Sequence, residues 1–320
     1  MVSCSRYKSR AQTGIIGTGG RAPRLEGEHL ILCDDLAMPE GPLALADGSW
    51  LVTELALSRG CVSQVLPDGT RREIVKTGRP NGLAITADGR IWVAETLTPA
   101  ILTITLDGRA QTELTQIGDV PLLWPNDLCV GPDGALYLTD SGALISEFLD
   151  GDFPKPGFAA VKADGKVIRF DPASGETTII DRGLQFANGI AFDRAGNLYA
   201  SETNTGEIYR YPCEDGRIVA RRERFGSVLW PEWQEAGAVR GPDGMAFSAD
   251  GRLWVAVFGQ GDVTVLRPDG SWEQRIPLEG KAPTNVAFGL GDDRHIYVTE
   301  VELGQLTVHE VAAVGLELRR

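Results

Sequence analysis

Short apolar runs separated by glycine turns recur along this chain on a long period. Six segments align without gaps or with a single short one: PEGPLALADGSWLVTE from Pro39, PNGLAITADGRIWVAE from Pro80, PNDLCVGPDGALYLTD from Pro125, ANGIAFDRAGNLYASE from Ala187, PDGMAFSADGRLWVAV from Pro242 and PTNVAFGLGDDRHIYVTE from Pro283. In each, an apolar run leads to a turn such as Asp47-Gly48, Asp88-Gly89 or Asp250-Gly251, and a second apolar run follows. That pattern predicts two strands joined by a tight hairpin. Further strand-like stretches and second turns, among them Asp68-Gly69, Asp107-Gly108 and Asp269-Gly270, bring each unit to about four antiparallel strands, the content of a propeller blade. No window sustains helical apolar spacing, because Gly or Pro interrupts it.

The second residue of each unit serves as an anchor: Glu40, Asn81, Asn126, Asn188, Asp243 and Thr284. Successive anchors lie 41, 45, 62, 55 and 41 residues apart, against about 40–45 for known propeller repeats. The expectation is all-β: one six-bladed β-propeller over residues 26–320, preceded by a flexible arm over 1–25. The segments His29–Cys33 and Leu306–Val311 are left over at the two ends, and either one suits the closing of the last blade.

A propeller lines its central channel with the first strand of each blade, so all six anchors point into one mouth. Glu40, Asn126, Asn188 and Asp243 bring two carboxylates and two amides together. Two unliganded carboxylates there raise each other's pKa, and a divalent cation cancels the pair. Hard oxygen donors without His or Cys select one divalent cation from Ca²⁺, Mg²⁺ and Mn²⁺ over zinc or copper, Ca²⁺ first, with Zn²⁺ kept as an alternative. The opposing reading is an anchor ring that holds only channel water. Fourteen residues after the anchors a second set of acids appears, Glu54, Glu95, Asp140 and Glu202, with Glu300 in the last unit and Val257 breaking the series. Asn126, Trp124, Asn81, Asp140 and Glu202 are the candidate substrate contacts.

Charge and composition narrow the partners. A net charge of −13 excludes a nucleic-acid backbone, and no run of 18 apolar residues offers a membrane span. Five scattered cysteines without a CxxC pair read as reduced thiols in a cytoplasm. A small-molecule substrate remains, with the protein a monomer or homodimer. The Gly17–Gly20 run follows no strand and is no dinucleotide loop. There is no G-x-S-x-G elbow, and His29, His295 and His309 all lie away from the anchors. Insertions at 141–166 and 221–240, carrying Phe148, Phe153, Phe158, Trp230 and Trp233, emerge toward the anchor face and suit a lid.

Taken in order, Glu40-Gly41-Pro42, Pro125-Asn126-Asp127-Leu128 leading to Leu138-Thr139-Asp140, Asn188-Gly189 and Pro242-Asp243-Gly244-Met245 resemble the gluconolactonase/regucalcin (senescence marker protein) family of six-bladed propellers. The resemblance implies a calcium-type site at Glu40, Asn188 and Asp243, with Asn126 completing it or holding substrate, and it implies Asp243 as acid/base. Many members open sugar lactones. An arginine that contacts sugar in the animal branch is replaced here by Trp124, which points to a more apolar or aromatic substrate. The implied reaction is metal-assisted lactone hydrolysis by an Asp243-activated water. The alternatives are an organophosphate triester hydrolase and a non-catalytic calcium-binding or interaction propeller.

Overall fold

Each unit of the repeat folds into one antiparallel sheet in the computed structural model of the chain, which describes residues 24–26, 29–156, 161–214, 217–230 and 239–317. The inner strands of the six blades are Pro39–Ala44, Pro80–Ile85, Pro125–Val130, Ala187–Phe192, Gly241–Phe247 and Pro283–Phe288. Blades one to five each hold four strands in sequence order. In the sixth, Gln305–Glu310 pairs with His29–Cys33, so the two ends of the chain share one five-stranded sheet and close the ring. Both leftover segments thus take part in closure. Residues 1–23 of the expected arm, together with Phe158 and Trp233, lie outside the described residues.

The second strands, such as Trp50–Glu54, Ile91–Glu95 and Leu198–Glu202, are buried at every position. That explains why they read as continuous apolar runs rather than alternating ones: both faces of the sheet are covered by neighbouring blades. The fourth strand at the rim is open, as in Arg71–Lys76. Six apolar clusters fill the six seams between adjacent blades. In the seam between blades two and three, Trp92 meets Phe170 edge-to-face, and Trp254 meets Phe288 the same way between blades five and six. The hairpins turn as their sequence dictates. Gly48 and Gly89 take φ of +82° and +81°, where a side chain is strained, and Asp47 Oδ1 accepts from Ser49 N at 3.0 Å.

Candidate active site

Every inner strand carries a register shift at its anchor, between Glu40 and Leu43, Pro80 and Leu83, Pro125 and Leu128, Ala187 and Ile190, Pro242 and Met245, and Pro283 and Asn285. A β-bulge re-aims side chains and breaks strict alternation. The anchor and the residue after it therefore both serve the axis. That following position is Gly41, Gly82, Gly189 and Gly244 in four blades, and Asp127 and Asn285 in the other two. A Cβ on Gly82 would strike Asp127, and one on Gly244 would strike Asn285. The glycines leave the room that these two side chains occupy.

The anchors Glu40, Asn81, Asn126, Asn188, Asp243 and Thr284 are all buried. Asn126 Nδ2 donates to Ser141 Oγ at 2.9 Å and Asn188 Nδ2 to Thr203 Oγ1 at 3.1 Å. Their carbonyl oxygens, Asn126 Oδ1 and Asn188 Oδ1, are buried with no hydrogen-bond partner. A buried acceptor without a partner costs about 1–3 kcal/mol, and a cation or an ordered water would satisfy these two. Two amide oxygens beside the carboxylates of Glu40 and Asp243 make a donor set suited to a hard cation. Among the described residues no three His, Cys, Asp or Glu side chains are grouped as metal ligands. Half of this donor set is amide oxygen, from Asn126 and Asn188.

Electrostatics at the axis point the same way. Burial, then the Asp127 charge, pushes the Glu40 carboxyl up to about 8, against the pull of the Gly41 amide and Asn285. Asn285 Nδ2 lies 3.2 Å from Glu40 Oε2. Burial raises Asp127 to about 7, although Leu128 N and Ile190 N donate to it at 2.9 and 3.3 Å. Asp243 is raised well above the carboxylate range by burial and then by Glu40, with the Asn188 amide opposing. Three buried acids thus repel one another near the axis. Beyond them the channel continues to the opposite face as a cavity of about 700 Å³, with Asp127 and Asn285 in its lining. Neither residue is among the sequence candidates. The signal was present, since they are the non-glycine members of the position after the anchor.

The second set of acids has a different job. Glu54 accepts from Ala37 N at 2.7 Å, Glu95 from Arg79 N at 2.8 Å, Asp140 from Leu123 N at 2.7 Å, Glu202 from Gln185 N at 2.6 Å and Glu300 from Ala282 N at 2.8 Å. Each carboxylate holds the segment that leads into its own blade's inner strand. Asp140 and Glu202 are buried, Asp140 accepting from Leu123 N and Gly142 N and Glu202 from Gln185 N and the Thr205 hydroxyl. In the fifth blade, where Val257 stands, the buried acid is Asp262, paired with Arg275.

Trp124, two residues before its anchor, packs edge-on against Phe148 and Phe186 at 5.7 and 5.1 Å, and its Nε1 is buried without a partner. Phe186 stands two residues before Asn188 with φ +69°, and Met38 two before Glu40 with φ +55°. Left-handed backbone at a bulky residue is costly and marks places under functional constraint. The first insertion does reach across this face. Its Asp152 receives Leu57 N at 3.0 Å and Arg79 Nη1 at 2.7 Å, from blades one and two. Trp230 of the second insertion instead lies over the Arg275 guanidinium, 4.0 Å from its ring centre, beside Trp272 in the fifth blade.

Comparison with known proteins agrees with this architecture. A 6-deoxy-6-sulfogluconolactonase of Pseudomonas putida is 38% identical over 138 residues, 42% of this chain and 44% of that protein. The gluconolactonase of Zymomonas mobilis is 24% identical over 281 residues, 81% of this chain and 75% of that one. The chain thus spans under half the length of the first relative and three quarters of the second. The calcium-binding protein regucalcin of Agrobacterium tumefaciens shares the fold, with a TM-score of 0.72 at 19% identity over 94% of this chain and 98% of that one. The model of the SMP-30/Gluconolactonase/LRE-like region matches residues 38–302, and the chain belongs to that family.

Proposed function

We propose that this protein hydrolyses lactones or closely related cyclic esters with one divalent cation, calcium first in order, held by Glu40, Asn126, Asn188 and Asp243. The observation that carries the reading is a pair of buried, partnerless amide oxygens on two anchors of the same ring as the buried carboxylates Glu40 and Asp243. The lactonase names of the relatives and the calcium-binding name of the structural neighbour support it. A bound divalent ion supplies Lewis-acid polarisation of the ester carbonyl and stabilises the oxyanion.

The chain's own residues do the rest. Asp243 takes the proton of the attacking water and returns it to the leaving alkoxide, the acid/base role that the family resemblance implies for it. Glu40 carries the second negative charge of the cage. Asn285 and the Gly41 amide keep its carboxylate oriented. Trp124 and Phe186, each two residues before a ligand, form an aromatic wall with Phe148 packed against both, and the loop held by Asp152 limits water at the mouth.

A pH-stat assay on aldonolactones and on apolar lactones, with and without chelator, tests this. Lactone opening should disappear with chelator and return with Ca²⁺. Asp243→Asn should lower kcat by about 10²–10⁴ with the fold intact. Activity that survives chelation, or hydrolysis of phosphotriesters with no lactone opened, would refute the reading.

A further inference from the structure

We infer that Ser141 and Thr203 are positioning residues that fix which atom of Asn126 and Asn188 faces the channel axis. The inference rests on the cation cage proposed above. An asparagine side chain presents an oxygen on one edge and two N–H donors on the other, and half a turn of its amide exchanges them. Only the oxygen edge ligates a cation. Something must therefore choose the edge before the metal arrives.

A hydroxyl has one proton to give. Ser141 Oγ donates it to the Ala187 carbonyl at 2.9 Å, and Thr203 Oγ1 donates its proton to the Pro242 carbonyl at 2.9 Å. Each oxygen then has only lone pairs left for its asparagine, so the NH₂ edge must turn toward it. Asn126 Oδ1 and Asn188 Oδ1 are left buried and partnerless as a consequence. Ala187 immediately precedes Asn188, and Pro242 immediately precedes Asp243. One run of hydrogen bonds therefore joins Asn126, the backbone before Asn188, Asn188 itself and the backbone before Asp243. Three of the four ligands are registered to one another across two blade seams.

The repeat carries the same logic. Fifteen residues after the amide anchors Asn81, Asn126 and Asn188 stand Thr96, Ser141 and Thr203, whereas Leu55 and Phe258 follow the carboxylate anchors Glu40 and Asp243. A carboxylate has two equivalent oxygens and needs no such choice. Thr96 Oγ1 donates to the carbonyl before the next anchor as well, to Pro125 O at 3.0 Å. In the sixth unit, where the anchor is itself a hydroxyl, Thr284 makes that bond to Pro39 O at 2.8 Å.

The test is calorimetric titration of chelator-treated protein with CaCl₂. Ser141→Ala and the isosteric Thr203→Val should each weaken Ca²⁺ binding by about 10–100-fold, the usual cost of losing a partner that orients a ligand. Ser141→Thr and Thr203→Ser should keep wild-type affinity. The deciding comparison is made in an Asn188→Asp background, where Thr203→Val should have no further effect, because the carboxylate offers an oxygen whichever way it turns. Equal weakening in both backgrounds would make Thr203 a brace between blades, and wild-type affinity in the folded single variants would equally overturn the inference. If a variant does not fold, neutron diffraction of the metal-free wild type decides: amide deuterons on the Ser141 and Thr203 sides uphold it, and deuterons facing the axis overturn it. Wild-type protein that binds no Ca²⁺ refutes the cage instead, and the neutron map still decides the amide orientation.

Discussion

Glu40 is a buried carboxyl whose burial costs stability in the metal-free chain, a cost that the proposed cation would offset. Below the ordinary glutamate pKa of about 4.3 the folded and unfolded chains both keep its proton. Between there and about pH 8 the folded chain holds a proton that the unfolded chain has released. Stability of the metal-free protein attributable to Glu40 is therefore full at the acid end and lost as pH rises through that window. A glutamine does not titrate. Chelated Glu40→Gln protein should melt about 2 °C or more above chelated wild type at pH 8.5, with the gap closing toward pH 4.5. With saturating Ca²⁺ the order should reverse, because the variant lacks a charged ligand. Scanning calorimetry across pH, with and without Ca²⁺, reads both signs, and a gap independent of pH contradicts the account. Asp127 contributes to that penalty and escaped the sequence reading for a physical reason. On a regular strand the residue after an inward anchor faces away, and only the bulge at Asn126 brings Asp127 to the axis.

The strands, hairpins and blade count were legible because equal positions in a repeat sit at equal depth. The acids at the ends of the second strands were legible as a series but not in their partners. Whether Asp140 faces substrate or the Leu123 amide depends on how the preceding loop packs, which periodicity does not encode. The first insertion repeats the lesson. Its apolar residues pointed to the anchor face, yet the contact that holds it there joins Asp152 to Arg79, 73 residues away. Arg79 is buried to 3% side-chain exposure, and its Nε has no partner. Removing one member of a buried pair strands the other charge. Asp152→Ala should loosen the loop rather than the cage. We expect faster proteolysis within 144–156 and a KM for lactone raised about tenfold, equivalent to about 1.4 kcal/mol, while Ca²⁺ affinity stays as in wild type. A change in metal affinity with KM untouched would assign Asp152 to the cage instead.

Successive blades are separate sheets that meet through side-chain seams, and the strand-to-strand seal that joins the two ends of the ring is where Gln305–Glu310 meets His29–Cys33. The seal also bears on the anchor ring, since the sixth blade's Asn285 reaches Glu40 of the first. Two histidines stack across the seal with ring centres 5.1 Å apart. His309 is buried, Thr307 Oγ1 lies 3.0 Å from its Nε2, and Glu279 and Glu300 line the same small space. Burial first, and the neighbouring His29 second, lowers His309 to about 4. Its neutral form is the one that fits, so the stability it confers is full above the ordinary histidine pKa of about 6.5 and is lost as pH falls from there toward 4. His309→Gln keeps polarity and removes the titration. Wild type should therefore lose melting temperature relative to His309→Gln by a few degrees between pH 6.5 and 4.5, a trend opposite in sign to that of Glu40. Subtracting the variant's curve from the wild-type curve isolates the seal from the cage. A flat difference would mean that His309 is protonated in place, and that the ring closes without regard to its charge.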